Sequence, residues 1–184
     1  MAGRSIKRLK TKERDWIFIG GPMRQKAKKT WQEKLLDKKD LPKVVKITSK
    51  MAGKWGTKQG DTVVIPAPIE VDEIMRKVPK GKVITINEIR KILARRHNAT
   101  IGCPITTGIF AWIAAYASEE RKLQGDKNIT PWWRTLKGDG ELNEKYPGGV
   151  ENQKMLLEAE GHIVEKEGKK WLVKNAQAFI KDWV

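Results

Sequence analysis

The stretch Ile129-Thr-Pro-Trp-Trp-Arg134 decides how this chain is read. Pro131 fixes its own φ and drives Thr130 into an extended conformation, so the two indoles that follow leave the backbone at a set angle. Adjacent tryptophans held in this way either close a core or offer stacking surface to a base. Large aromatic side chains are mostly buried, so the expectation is that Trp132 and Trp133 belong to a core. Downstream come Gly148-Gly149 and then Gln153-Lys-Met-Leu-Leu-Glu-Ala-Glu-Gly-His162, a helix closed by glycine.

Upstream, Val71, Ile74, Met75 and Val78 recur at i, i+3, i+4, i+7 and predict a helix over 70–78. Pro79-Lys-Gly81 stops it. Thr85-Ile-Asn-Glu88 reads as a capping box that opens a second helix reaching His97, with Ile86, Ile89 and Leu93 inward. A link over 98–104 leads to a third helix whose buried face is expected to be Ile105, Ile109, Trp112, Ile113 and Tyr116. Two helices joined in this way predict a helix-turn-helix. Gly138-Asp-Gly140 reads as the turn of a wing. A hairpin around Glu167-Gly168 and a last helix with Phe179, Ile180 and Trp183 close the chain. Nearer the start, a short helix over 30–38 and Val/Ile-rich strands over 43–48 and 62–65 predict a small β element.

The order of these pieces resembles the C-terminal domain of the alkylguanine-DNA alkyltransferases. It does so over 66–163, from Val78-Pro-Lys-Gly-Lys-Val-Ile-Thr85 through Pro131-Trp132-Trp133-Arg134 to the Leu-Leu-x-x-Glu-Gly helix end. The resemblance implies a degenerate alkyl-acceptor pocket made of Pro131, Trp132, Trp133, Arg134 and Glu160. Trp132 stands where the family has its acceptor cysteine, Trp133 where it has the activating histidine, and Glu160 is left with no histidine to polarise. The alkyltransferase-like proteins, which sense lesions without repairing them, also replace the cysteine with Trp but usually keep the histidine. Ile86 replaces the family's nucleotide-rotating tyrosine and Thr107 its arginine finger. Phe110, Ala111 and Trp112 replace small helix residues, and Tyr116 replaces a hinge asparagine. Flipping a nucleotide costs a few kcal/mol that an intercalating side chain and a fitted pocket must offset, and Thr107 is too short to intercalate.

Charge points to a polyanionic partner. The chain carries +16, and residues 1–60 hold 18 Lys/Arg against 5 Asp/Glu. Arg4, Lys7, Arg8, Lys10, Lys12, Arg14, Arg24, Lys26, Lys28 and Lys29 are spaced to meet phosphates along an extended path, with Trp16 available to stack on a base. Alone in water such an arm is expected to be disordered. The organisation expected is therefore α+β. A basic, intrinsically disordered arm (1–28) precedes a short helix plus β element (29–65). A winged helix-turn-helix, alkyltransferase-like domain with a C-terminal hairpin and helix follows (66–184).

Other chemistry finds little support. One cysteine, Cys103, excludes an internal disulfide and fits a reducing cytoplasm, where the protein is expected. Cys103, His97 and His162 have no zinc spacing, so neither a metal nor a cofactor is expected. No Gly-Lys-Ser/Thr phosphate loop occurs. No apolar leader opens the chain and the longest apolar run, 109–117, is too short for a bilayer, so no membrane is expected. Asp139, Glu141 and Glu144 read as a solvated acidic loop. No thiol occupies the acceptor position, so the chain is expected not to be an enzyme.

Two functions remain. The first is a non-catalytic, structural RNA-binding protein: a ribosomal, rRNA-binding component of a ribonucleoprotein, with rRNA and neighbouring ribosomal proteins as partners. The alternative is an alkyltransferase-like protein that recognises lesions in DNA repair without methyltransferase activity, with DNA as partner.

Overall fold

The computed structural model describes residues 28–181, and the fold is α+β. Helix α1 (Trp31–Leu36) starts at Thr30, whose hydroxyl accepts from the Glu33 N–H while the Glu33 carboxylate accepts from the Thr30 N–H. Its first turn is also anchored from outside. Both Glu120 carboxylate oxygens accept from the Trp31 and Gln32 amides at 2.9 Å, which places negative charge at the positive end of the helix.

Strands β1 (Lys43–Lys46) and β2 (Thr62–Ile65) are antiparallel, and β4 (Ile101–Gly102) adds to β2 in parallel. Helix α2 (Pro68–Arg76) begins with Pro at its first position, where no amide is needed, and the Ala67 N–H donates to Glu70. Its expected stripe is inward: Val71, Ile74, Met75 and Val78 are at most 3% exposed.

Strand β3 (Ile84–Thr85) runs straight into α3 (Ile86–Arg96). Half of the expected capping box forms. The Thr85 hydroxyl accepts from the Glu88 N–H, but the Glu88 carboxylate turns to Lys91 at 2.8 Å. Helix α4 (Pro104–Leu123) follows β4 and packs against α1, α2 and α3. Strand β5 (Thr135–Leu136) pairs in parallel with β3, so the Trp132–Arg134 turn lies beside the residues that lead into β3. Helix α5 (Gly149–Glu158), the hairpin of β6 (Val164–Glu167) and β7 (Lys170–Val173), and α6 (Ala176–Lys181) complete the described fold.

The face of α4 differs from the expected one. Thr107, Ala111, Ala114, Ala115, Ala117 and Ser118 are buried, whereas Ile105 and Ile109 are 59% and 44% exposed. Trp112 and Ile113 are only partly buried against the core. A helix held among three others needs close approach, and small side chains supply it.

The junction of α3 and β4 is tighter still. A Cβ on Gly102 would lie 2.7 Å from the Arg90 carbonyl oxygen and 2.9 Å from its Cα. Arg90 Nε donates to the Gly102 carbonyl at 2.9 Å across the same contact. Gly102→Ala is expected to lower stability by about 1–3 kcal/mol, as overpacking does. A urea-melt midpoint equal to wild type would show that the two backbones are free to separate.

Candidate nucleic-acid interface

The segment before the tryptophan pair is pinned from below. The Thr130 hydroxyl donates to Asp72, a buried carboxylate that also receives Arg76 Nε and Nη2. The Ser118 hydroxyl of α4 donates to the Thr130 carbonyl at 2.9 Å, and Arg76 and Arg121 both donate to the Asn128 carbonyl. Pro131 is buried above them.

Trp132 is 0% exposed. Its ring meets Tyr146 and Trp133 edge-on at 5.6 and 5.9 Å, and its indole N–H donates to Glu119 at 2.9 Å. The indole of Trp132 thus belongs to the core. Trp133 is less deeply buried than Trp132, and it packs against two core clusters.

Glu160 is not idle. It accepts from the Trp133 indole N–H at 2.8 Å, from Arg134 through Nε and Nη2, and from the Gly81 amide at 3.1 Å. Arg134 Nη1 donates to the Val78 carbonyl at 2.6 Å, so the guanidinium bridges α5's end to the stop after α2. Burial opposes the charge on Glu160, but the bonds from Arg134, Trp133 and Gly81 outweigh it and hold the carboxyl below its usual range.

One contributor lay outside the sequence reading. Gln153 of α5, fully buried, donates to the Trp133 and Thr135 carbonyls at 3.0 Å and accepts from the Asn143 N–H at 2.7 Å. It ties the tryptophan turn to the loop over 137–145. A buried glutamine inside an amphipathic helix was the available signal, since such a side chain needs partners.

That loop is closed by Lys137 N–H to Glu141 O at 2.8 Å, and its acidic residues are paired rather than merely solvated. Lys137 holds Glu141 and Glu144, and Lys170 holds Asp139. Burial disfavours the Lys137 ammonium, yet its bonds to Glu144 and Glu141 prevail and raise its pKa. The Leu142 amide donates to Trp171 O, and Glu141 bridges Leu172, so the loop is fastened to β7.

Between this loop and α4 lies an open cleft of ≈ 790 Å³. Ile86, Ile105, Gly108, Ile109 and Trp112 form one wall; Lys137, Gly138, Asn143, Glu144 and Lys145 form the other. Thr107 lies outside it. That side chain is 0% exposed and its hydroxyl donates to the Cys103 carbonyl at 2.7 Å. Cys103 itself is buried at the start of α4.

Of the expected phosphate contacts, Lys28 and Lys29 are exposed, and Lys29 pairs with Asp37 at 2.6 Å. Arg4, Lys7, Arg8, Lys10, Lys12, Arg14, Trp16, Arg24 and Lys26 lie outside the described residues, as does Trp183. Among the described residues no helix is long and apolar enough to cross a membrane.

No family model and no curated protein matches the chain. Among solved structures it is similar to S. pombe Atl1 in complex with damaged DNA containing O6-carboxymethylguanine, with 21% identity over 61% of this chain and 92% of that one, at a TM-score of 0.43. It is similar also to S. pombe ATL in complex with DNA, with 21% identity over the same shares and a TM-score of 0.45.

The expectation of a ribosomal, rRNA-binding component with ribosomal proteins as neighbours is corrected. The structures that the chain resembles hold DNA, damaged in one of them. The arm that motivated the RNA reading falls, up to residue 27, outside the described residues. Ile86, Phe110 and Thr107 stood against DNA, Thr107 because it is too short to intercalate. Thr107 points into the core, and Ile105 and Ile109 hold the exposed face instead.

Proposed function

We propose that the chain is an alkyltransferase-like protein that binds DNA and recognises a modified base without transferring its alkyl group. The observation that carries this reading is the apolar cleft beside α4. On this reading α3, the link over 98–103 and α4 act as a helix-turn-helix, and the 137–145 loop acts as its wing. Ile105 and Ile109 are apolar wedges of the kind that part base steps in a minor groove. Ile86, Trp112 and Asn143 offer a displaced base two apolar surfaces and a polar group. Lys145, exposed at the rim, faces the phosphates. Chemistry is absent because the indole of Trp132 has no nucleophilic atom to offer and is sealed from the cleft, while the Cys103 thiol is buried at the far side of Thr107.

The test compares duplexes with and without one O6-alkylguanine. The protein is expected to bind the modified duplex more tightly and to remain unlabelled by a radioactive alkyl group. Ile109→Asp is expected to weaken binding to the modified duplex at least about tenfold, since it puts a charge where a base step must be parted. Equal affinity for both duplexes, or full affinity in Ile109→Asp, overturns the reading; label on Cys103 overturns the absence of transfer.

A further inference from the structure

A second surface, on the β1–β2 connection, has features that its own folding does not explain. Residues 41–60 carry Lys43, Lys46, Lys50, Lys54 and Lys58 and no carboxylate. All five lysines are exposed, and Lys43 pairs with Asp40. Among the described residues, Lys46, Lys50, Lys54 and Lys58 have no ion-pair partner.

Trp55 stands in the middle of them, 41% exposed. Its backbone is left-handed, at φ 57° and ψ 26°, a region that bulky residues rarely occupy. Among the described residues three other non-glycine positions share a positive φ: Lys39, Asn98 and Asn175. Asparagine or glycine would complete this turn with less strain, and an indole kept there suggests a function for the ring.

The ring is also vacant. Trp31, Trp112, Trp132, Trp133 and Trp171 each meet another ring or a cation, whereas Trp55 meets neither among the described residues.

The loop that presents the ring is well tied. Thr57, 4% exposed, donates through its hydroxyl to Lys54 O at 2.7 Å, and its own carbonyl accepts from the Gly53 N–H at 2.7 Å. The Met51 and Ala52 amides both return to Thr48 O. Their side chains pack on the cluster of Ile47, Val63 and Cys103. Cys103 caps α4, so this loop is fastened at the end of α4 that carries Ile105.

From this we infer that the 50–58 loop binds single-stranded DNA, with Trp55 stacked on an unpaired base and Lys50, Lys54 and Lys58 on the flanking phosphates. A flat, exposed ring with no ring or cation partner among the described residues suits a base face, which every nucleotide offers, better than it suits an apolar peptide side chain that needs a pocket. The Asp61 carboxylate is engaged by the Lys58 backbone amide at 2.7 Å, and the ammonium groups of Lys50, Lys54 and Lys58, with no ion-pair partner among the described residues, suit a phosphate backbone, whose counterions they release. The choice of DNA over RNA rests on the function proposed above, because a duplex parted beside α4 leaves an unpaired strand at that end. The stacking site does not rest on it.

The experiment follows a dye-labelled oligo(dT) by anisotropy with the full chain over a range of salt. Trp55→Ala is expected to weaken binding about tenfold and Trp55→Phe to keep most of it, since either ring stacks. The triple Lys50→Gln, Lys54→Gln, Lys58→Gln variant is expected to flatten the log–log salt slope by about 2, at roughly 0.7 per phosphate contact. Bromodeoxyuridine in the strand is expected to photocrosslink within 50–58. Thermal midpoints should stay at the wild-type value, because the side chains changed are exposed. Unchanged affinity in Trp55→Ala, an equal loss in Trp55→Phe, or crosslinks that map only elsewhere overturns the site. Tighter binding of oligo(U) than oligo(dT) overturns its assignment to DNA. Full affinity for the modified duplex in Ile109→Asp bears on the cleft alone, so the two failures are distinguishable.

Discussion

Trp132→Ala lowers the unfolding free energy by about 3–5 kcal/mol, the range for truncating a large buried aromatic. The ring is 0% exposed, and the groups around it are held by other bonds, so the cavity cannot close easily. Thr130 is fixed to Asp72 and Ser118, and the turn that follows is fixed by Gln153. The substitution also removes the edge contacts with Tyr146 and Trp133 and strips Glu119 of the indole donor. At roughly 2–4 °C per kcal/mol for a chain of this size, the melting temperature falls by about 10 °C. Trp132→Phe restores most of the volume but not the donor, so it should lie between the two. Urea and thermal melts of the three proteins check the order. An alanine variant within about 1 kcal/mol of wild type would mean that the Trp132 ring fills space without holding the domain.

Much of the fold is legible in the sequence, and the parts that are not have a physical reason. The α2 stripe is legible because large apolar residues recur on one face of a helix packed on one side, and Val71 and Met75 are fully buried. Helix α4 defeats that rule. It carries two apolar stripes, and the buried one consists of Thr107, Ala111, Ala114, Ala115 and Ser118, which recur at i, i+4, i+7, i+8 and i+11. Size suggests that Ile105 and Ile109 go inside; the closeness of the neighbouring helices puts the small stripe inside. The cleft followed from that inversion and so was not foreseen. The Trp132–Trp133 pair stands out in the sequence, but its turn does not, and the partner that completes the turn, Gln153, lies twenty residues from Trp133 with no local pattern to join them. Within the acidic loop, Asp139 reads as solvated because its partner Lys170 sits thirty-one residues away, whereas Lys137, the partner of Glu141 and Glu144, lies beside them in the sequence.

Glu160→Gln is expected to cost about 3 kcal/mol near neutral pH. Arg134 and Glu160 side chains are 13% and 8% exposed, so removing one charge leaves the other buried without compensation. The amide keeps the size of the carboxylate, and the loss is therefore electrostatic rather than steric. Its one carbonyl oxygen must serve Arg134, the Trp133 indole and the Gly81 amide, which the carboxylate shares between two oxygens. The dependence on pH identifies the cause. Glu160 is held below its ordinary 4.5 in the folded protein, so its contribution is fully present above about 4.5. It is lost as pH falls through the lowered folded value, where the protonated carboxyl comes to resemble the amide. The stability gap between wild type and Glu160→Gln should therefore be largest at neutral pH and narrow steadily as urea melts are taken towards pH 3. Replacing both partners, Arg134→Met with Glu160→Leu, is expected to recover much of the loss, because no charge is then stranded. A gap that stays constant down to pH 3 would show that the glutamine acts through packing. The ion pair beneath Trp133 would then not be what holds α5's end to the turn after α2.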